Sequence, residues 1–310
     1  SNLLLSFFIF VVFGLSCCSG EDTTPGKGDN KLCMRLLNSK TVPPAGIQIA
    51  CTVKHCSGEP LNQRLEEANF TIINDETGQP FASEGKNTSK PHPPKKFTLS
   101  TILVLDFSES IFVNQAVDSV VSGAKYFVET MVEKQKGNLK HFVAIYAFGS
   151  TIKSHLALDF TQDHQKLYAA IENLKKKGSL GGTNLYGAYS KGLELLGNRD
   201  KRIDGLKKSS MLILTDGAHE AGNAESMRKD ALNQLQTSTS NGVEVYSVGI
   251  KGDYDESKIK ELASHPEYFF YQAANDLTKA FLEITKKIQR LANSNYVIGV
   301  CSPVESGVLS

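Results

Sequence analysis

Residues 97–293 predict an α/β fold built on a doubly wound, mainly parallel sheet, and residues 31–90 predict a small β-rich domain ahead of it. Two observations carry the first expectation. Apolar strand-like runs recur at Thr98–Asp106, His141–Phe148, Ser210–Thr215, Val243–Ile250 and Tyr268–Tyr271, with a shorter one at Ser154–Leu158. Their near-continuous apolar character marks strands covered on both faces. Between them lie segments with apolar residues at helical spacing, such as Val117, Val120, Val121, Ala124, Phe127 and Val128, then Leu167, Ala170, Ile171 and Leu174. Asn223 is placed to cap a helix carrying Met227, Ala231 and Leu235 that ends at Gly242, and a last helix runs from near Asp276 through Phe281, Ile284, Ile288 and Leu291.

The chain ahead of this repeat reads differently. The apolar run Leu3–Leu15 is too short for a comfortable membrane span and suits the core of a signal peptide, so residues 1–20 read as an export segment. Its end, Leu15-Ser16-Cys17-Cys18, resembles a bacterial lipoprotein signal with Cys18 as the lipid acceptor and Leu15 three residues before it. A plain secretory signal cleaved nearby is the other reading. Both place the protein outside the cytoplasm, at the cell envelope or surface or secreted, and on the lipoprotein reading alone a lipid at the N-terminus is its one membrane attachment. Residues 21–30, polar and rich in Gly, read as a flexible tether.

In residues 31–90, the stretches Gly46–Val53 and Asn69–Ile73 are strand-like, and Asn74–Gly78 is a turn signal ahead of Gln79-Pro-Phe-Ala. The two readings are a small domain of its own and an irregular cap on the next one. Of six Cys, four lie beyond the export segment: Cys33, Cys51, Cys56 and Cys301. An even number in an exported chain predicts two disulfides. Cys51 and Cys56 are close enough to pair locally, which leaves Cys33 for Cys301. Zinc held by four thiolates competes, but the spacing is not that of two Cys-x-x-Cys knuckles. Residues 91–96, Pro-rich, read as a linker. Residues 294–310 read as a strand that returns to the first domain or opens a further one.

A formal net charge of +1 gives no field that would favour nucleic acid or an acidic membrane, so nucleic-acid binding is not expected. Chemistry concentrates in three separated segments. Thr101-Ile-Leu-Val-Leu-Asp106-Phe-Ser108-Glu-Ser110 places a carboxylate and two hydroxyls just past a strand's carboxyl end, where open α/β sheets bind ligands. Gly181-Gly182-Thr183-Asn184-Leu185 is a Gly-rich loop opening a helix, and Leu212-Ile-Leu-Thr-Asp216-Gly217 is a second buried strand ending in a carboxylate. Asp106, Ser108, Ser110, Thr183 and Asp216 form a set of oxygen donors with two formal charges, suited to Mg²⁺ or Mn²⁺. Taken alone, Asp-x-Ser-x-Ser also reads as a helix N-cap. Glu109, between the two serines, is expected to point outward at the rim and tune partner choice, and His219 to lie at the same rim.

These three motifs in this order resemble the von Willebrand factor type A domain and its metal-ion-dependent adhesion site, and short stretches such as Leu185-Tyr-Gly-Ala are similar to secreted bacterial members. The resemblance covers about residues 97–293. It implies that Ser108 and Ser110 bind the ion directly, that Thr183 and the two Asp do so directly or through water, and that an exposed Asp or Glu of a protein partner completes the coordination. In some relatives binding couples to a slide of the last helix. The implied function is metal-dependent adhesion. The alternatives are a structural or assembly subunit of an envelope complex, or an accessory domain of a larger protein. Catalysis finds no support: the seven His form no His-Glu-x-x-His, and there is no Gly-x-Ser-x-Gly elbow, so a non-enzyme is expected.

Overall fold

The computed structural model describes residues 7–10, 32–42, 46–61, 65, 71–74, 88–92, 97–134, 140–150, 153–203, 206–217, 223–252 and 256–301. In chain order the elements are β1 (Phe7–Phe10), β2 (Leu32–Val42), β3 (Gly46–His55), β4 (Thr71–Asn74), β5 (Thr88–His92), β6 (Phe97–Asp106), α1 (Glu109–Val113), α2 (Val117–Val128), β7 (Lys140–Phe148), β8 (His155–Thr161) and α3 (His164–Lys177). They continue with α4 (Leu185–Asp200), β9 (Leu206–Thr215), α5 (Ala224–Ser240), β10 (Val243–Ile250), α6 (Glu256–Lys260), β11 (Phe269–Gln272), α7 (Leu277–Asn293) and β12 (Asn295–Cys301). Two compact units result, one of residues Lys96–Ile288 and one of Ser1–Lys95 with Gln289–Ser310.

The larger unit holds a six-stranded sheet in the order β11-β10-β9-β6-β7-β8. All neighbours run parallel except β8, which lies antiparallel to β7 at the edge. Its central strand β6 pairs with β7 on one side and β9 on the other, and every residue of it but Thr98 is buried. Helices on both faces remove the polar alternation from such a strand. On one face Ile102, Val104, Ala144, Tyr146 and Phe148 pack with Leu185, Tyr189, Leu193 and Leu196 of α4. Gly192 permits this close approach, since a Cβ there would lie 2.6 Å from Met211 Sδ and 2.9 Å from Val104 Cγ2. On the other face α2 meets α7, with Gly123 seated against the Phe281 ring. The chain reverses direction across the sheet at β6: β7 and β8 build outward on one side, β9 to β11 on the other. The carboxyl ends of β6 and β9 therefore flank a topological switch point.

The smaller unit contains an antiparallel sheet in the order β2-β3-β12-β5 and a two-stranded ribbon of β1 and β4. Its apolar cluster is Ile49, Cys51, Val53, Tyr296 and Ile298. The chain's last described strand thus supplies core residues to a sheet begun some 250 residues earlier, pairing in register from Asn295↔Thr52 to Cys301↔Gly46. At the end of α7, the Asn295 amide donates to the carbonyls of Leu291 (3.0 Å) and Ala292 (2.9 Å), which satisfies groups a helix terminus leaves open. Strand β5 runs to His92, so the Pro-rich stretch expected as linker from residue 91 begins inside a strand.

Cysteine pairing differs from the expectation. Cys33 and Cys56 form the disulfide, with their Cα atoms 4.9 Å apart, and Cys51 is a buried free thiol. Alternation along β3 is the reason. Ile49, Cys51 and Val53 share the core face, so Cys51 cannot turn toward Cys56 beyond the strand end. The register Cys33↔Lys54 brings Cys33 alongside that end instead. Burial pushes the Cys51 thiol up to about 12. The side chain of Cys301, the Cys17–Cys18 pair and the tether lie outside the described residues.

A polar chain crosses the middle of the larger sheet: His141 Nε2 on β7 meets Thr101 Oγ1 on β6 at 2.8 Å, and Thr101 Oγ1 meets Ser210 Oγ on β9 at 2.7 Å. His141 is fully buried, and burial lowers its pKa from 6.5 to about 4, against a smaller opposing pull from the Met131 backbone. In the unfolded chain this imidazole protonates near 6.5, so between the two values the unfolded state holds more protons. Its contribution is complete above pH 6.5 and is lost as pH falls through 4, on the order of 3 kcal/mol in all. Urea denaturation of the parent and of His141→Gln at pH 7 and pH 4.5 is expected to show this loss as a difference between the pH dependences of the two proteins, since the buried Asp106 carboxyl, raised to about 7, acts in the opposite sense in both. An unchanged pH dependence in that variant would show that the burial of His141 does not govern it.

Candidate metal site

Asp106 is the last residue of β6 and is fully buried; Asp216 directly follows β9 and is nearly so. The pairing Leu105↔Leu214 sets the two strand ends side by side, which brings the carboxylates to one place. Ser108 begins the turn into α1, and its backbone N–H donates to Asp106 Oδ1 (2.8 Å). Ser108 Oγ and Ser110 Oγ lie 3.0 Å apart and share a hydrogen bond. Ser110 Oγ donates to Asp216 Oδ1 (2.7 Å). Thr183 comes from the loop before α4 and is buried. A Cβ placed on Gly217 would sit 3.6 Å from Thr183 Oγ1 and 4.0 Å from Ser110 Oγ, so both hydroxyls face the same spot beside Asp216. The structure thus brings together all five expected donors, Asp106, Ser108, Ser110, Thr183 and Asp216.

Three loops are tied to each other beneath these side chains. Phe107 N–H donates to Phe148 O (2.8 Å), and Leu180 N–H donates to Phe107 O (2.7 Å). Glu109 N–H donates to Gly181 O (2.8 Å), Ser150 N–H to Leu180 O (3.0 Å), and Asn184 N–H to Gly149 O (2.7 Å). Gly149 is needed because a Cβ there would stand 2.5 Å from Leu180 Cβ and 2.7 Å from the Leu180 carbonyl. Gly181 takes φ +84°, which few other residues tolerate.

The Asp106 carboxyl is raised to about 7: burial is the largest influence, hydrogen bonds from Ser108 and Thr215 pull it back, and the Asp216 charge adds to the rise. A carboxylate held in this way is short of positive charge. The donor set is all oxygen, with two carboxylates and three hydroxyls, and it fits a hard divalent cation that would offset the repulsion. Among the described residues, no group of three or more His, Cys, Asp or Glu gathers elsewhere or here, so the softer nitrogen and sulfur donors of a zinc cage are not assembled in them.

Two further residues support the site. Thr215 Oγ1 donates to Asp106 Oδ2 (2.6 Å) and accepts from Gly217 N–H (3.2 Å). Asn114 Nδ2 donates to Asp216 Oδ2 (3.3 Å). Thr215 stood in view beside Asp216, but its role depends on the β6–β9 register. Asn114 lies four residues after Ser110, the spacing that puts two side chains on one helical face. At the rim, Glu109 is exposed, and Val113 is 70% exposed one residue before Asn114. His219, expected at this rim, lies outside the described residues.

The model of the von Willebrand factor type A domain matches residues 102–286. No curated protein matches the chain. Among solved structures, the vWF domain of a type V pili tip protein from Porphyromonas gingivalis is similar at a TM-score of 0.52 and 16% identity, over 62% of this chain and 95% of that one. The pilus adhesin SpaC from Lactobacillus rhamnosus GG, in its open conformation, is similar at a TM-score of 0.51 and 17% identity, over 89% of this chain and 36% of the adhesin. At such identities these likenesses concern the fold. The family match spans more than half of the chain and contains all five oxygen donors, and the chain belongs to the von Willebrand factor type A domain family.

Proposed function

We propose that this protein is a divalent-metal-dependent adhesion module, exported to the cell envelope or surface, which captures an exposed Asp or Glu of a protein partner. One observation carries the reading: two buried carboxylates and three hydroxyls converge at the switch point of the sheet, with burial and Asp216 together raising the Asp106 carboxyl. Asp106, Ser108, Ser110, Thr183 and Asp216 would hold Mg²⁺ or Mn²⁺ there, as a metal-ion-dependent adhesion site. With only two protein charges around it, the bound ion would stay electrophilic enough to accept an anionic oxygen from outside. The chain's own work is to hold these oxygens in place. Thr215 and Asn114 fix the outer oxygens of the two carboxylates, and the tied loops hold Thr183 against Gly217. Exposed Glu109 would disfavour a second acidic group beside the captured one, which makes it a selector among partners. The likeness to pilus proteins supports a place outside the cell.

Titration calorimetry of the whole chain with MgCl₂ and MnCl₂ is expected to show binding at one site, and Asp106→Ala and Asp216→Ala to abolish it. Partner capture should disappear in EDTA and return with added Mg²⁺. Uptake of the ion by both variants as by the parent would defeat the metal reading.

Thr215→Val keeps the shape of the side chain and removes the donor to Asp106. Metal affinity in this variant is expected to fall by roughly tenfold or more, the usual effect of losing a partner behind a ligand. Calorimetry checks it, and an unchanged affinity would assign Thr215 to strand packing alone.

A further inference from the structure

A second surface lies close to the same loops. Among the described residues, strand β8 is the outer strand of the six-stranded sheet and pairs with β7 alone. Between its first half and α3 is a cleft of about 620 Å³. His155, Leu156 and Leu158 line one wall, and Lys166, Lys176 and Lys177 line the other. Among the described residues, no acidic side chain lines it. Lys166 shares its charge with Asp163 at 3.6 Å, while Lys176 and Lys177 are exposed and form no ion pair among the described residues. Leu156 is 37% exposed on this edge.

The position of the cleft gives it meaning. Lys177 ends α3, and the chain then passes within six residues to Thr183. On the other wall, Ser154, next to His155, is bound through its hydroxyl to Ser150 O (2.8 Å), and Ser150 N–H reaches Leu180 O (3.0 Å). Both walls therefore run directly into the loops that carry the candidate metal site. An outer strand offers main-chain hydrogen bonding to a peptide laid along it, a wall of lysines favours carboxylates, and Leu156 offers an apolar contact. A globular anion or a flat glycan would use the lysines but not the strand edge.

We infer that the β8–α3 cleft is a second subsite, which takes an extended acidic segment of the protein whose carboxylate is captured at the metal face. The inference rests on the adhesion reading for the identity of the partner, but the cleft's own chemistry does not require the metal. An extended segment leaving the captured carboxylate would pass the carboxyl end of β7 to reach the lysines.

The test uses the whole chain in EDTA, so that binding at the metal site does not contribute. The probe is a fluorescein-labelled heptapeptide of alternating Glu and Val, followed by anisotropy at low salt. It is expected to bind, to bind Asp106→Ala equally well, and to lose roughly tenfold or more of its affinity in the triple variant Lys166→Glu, Lys176→Glu, Lys177→Glu. Metal affinity of that triple variant should equal the parent's, which also shows that it is folded. A peptide with the same charges but with backbone N-methyl groups on alternate residues should bind much more weakly. The inference is overturned by absence of binding, by equal binding to the triple variant, or by equal binding of the N-methylated peptide, which would make the surface a general polyanion patch. Failure here with metal binding intact removes the cleft alone. Loss of metal binding in the parent chain would instead remove the adhesion reading and leave the cleft result standing.

Discussion

Two carboxylates placed together out of water repel each other, and much of the larger unit can be understood as what makes that placement tolerable. Asp106 is wholly buried and Asp216 nearly so. Each has its oxygens taken up by neutral donors: Asp106 by the Ser108 backbone and Thr215, Asp216 by Ser110 and Asn114. Neutral hydrogen bonds stabilise a buried carboxylate only partly, and the Asp106 carboxyl remains raised to about 7. Among the described residues, no cationic side chain acts on the Asp106 carboxyl, and the proposed metal ion would supply that charge. This is a different arrangement from the buried ion pair of Lys208 and Glu244 at 2.8 Å, where the chain provides both charges.

The parallel sheet explains why these two residues meet. A strand order that reverses at β6 leaves the ends of β6 and β9 adjacent, with helices departing to opposite faces. Asp106 and Asp216 are separated by 110 positions in the chain and by one strand spacing in the sheet. Thr183 must be delivered separately, since it follows neither strand. Backbone hydrogen bonds among Phe107, Phe148, Gly149, Leu180, Gly181 and Asn184 deliver it, and they need glycine at 149 for approach and at 181 for its left-handed turn. Glycine at these two positions lets the loop take this path without strain.

Much of this was legible in the chain itself, for a physical reason. Strands covered on both faces announce themselves as unbroken apolar runs, and a set of oxygen donors spread over two strand ends and one Gly-rich loop leaves three recognisable motifs. What escaped were relations set by register and alternation. Thr215 is adjacent to Asp216 in sequence, yet it supports the other carboxylate, Asp106, across the β6–β9 pairing. Cys51 and Cys56 are near in sequence, yet alternation along β3 turns Cys51 into the core and leaves Cys56 to Cys33. The antiparallel direction of β8 likewise depends on pairing that composition does not encode. Proximity along the chain is a weak guide wherever a period of two decides which face a side chain takes.

The edge strand shows how such unencoded relations bear on function. Because β8 runs antiparallel, its first residues lie at the same end of the sheet as Ala147 and Phe148, and so at the end that carries the oxygen donors. Had it been parallel, His155 would sit at the opposite end, and the cleft beside it would open far from Thr183. Antiparallel pairing also brings Ser154 beside Gly149 and Ser150, where Ser154 Oγ accepts from Gly149 N–H (3.3 Å) and donates to Ser150 O (2.8 Å). Ser150 N–H in turn donates to Leu180 O, which ties the β8 wall of the cleft to the loop of Thr183. One local choice of strand direction therefore fixes both the support of the oxygen cluster and the position of the basic cleft next to it.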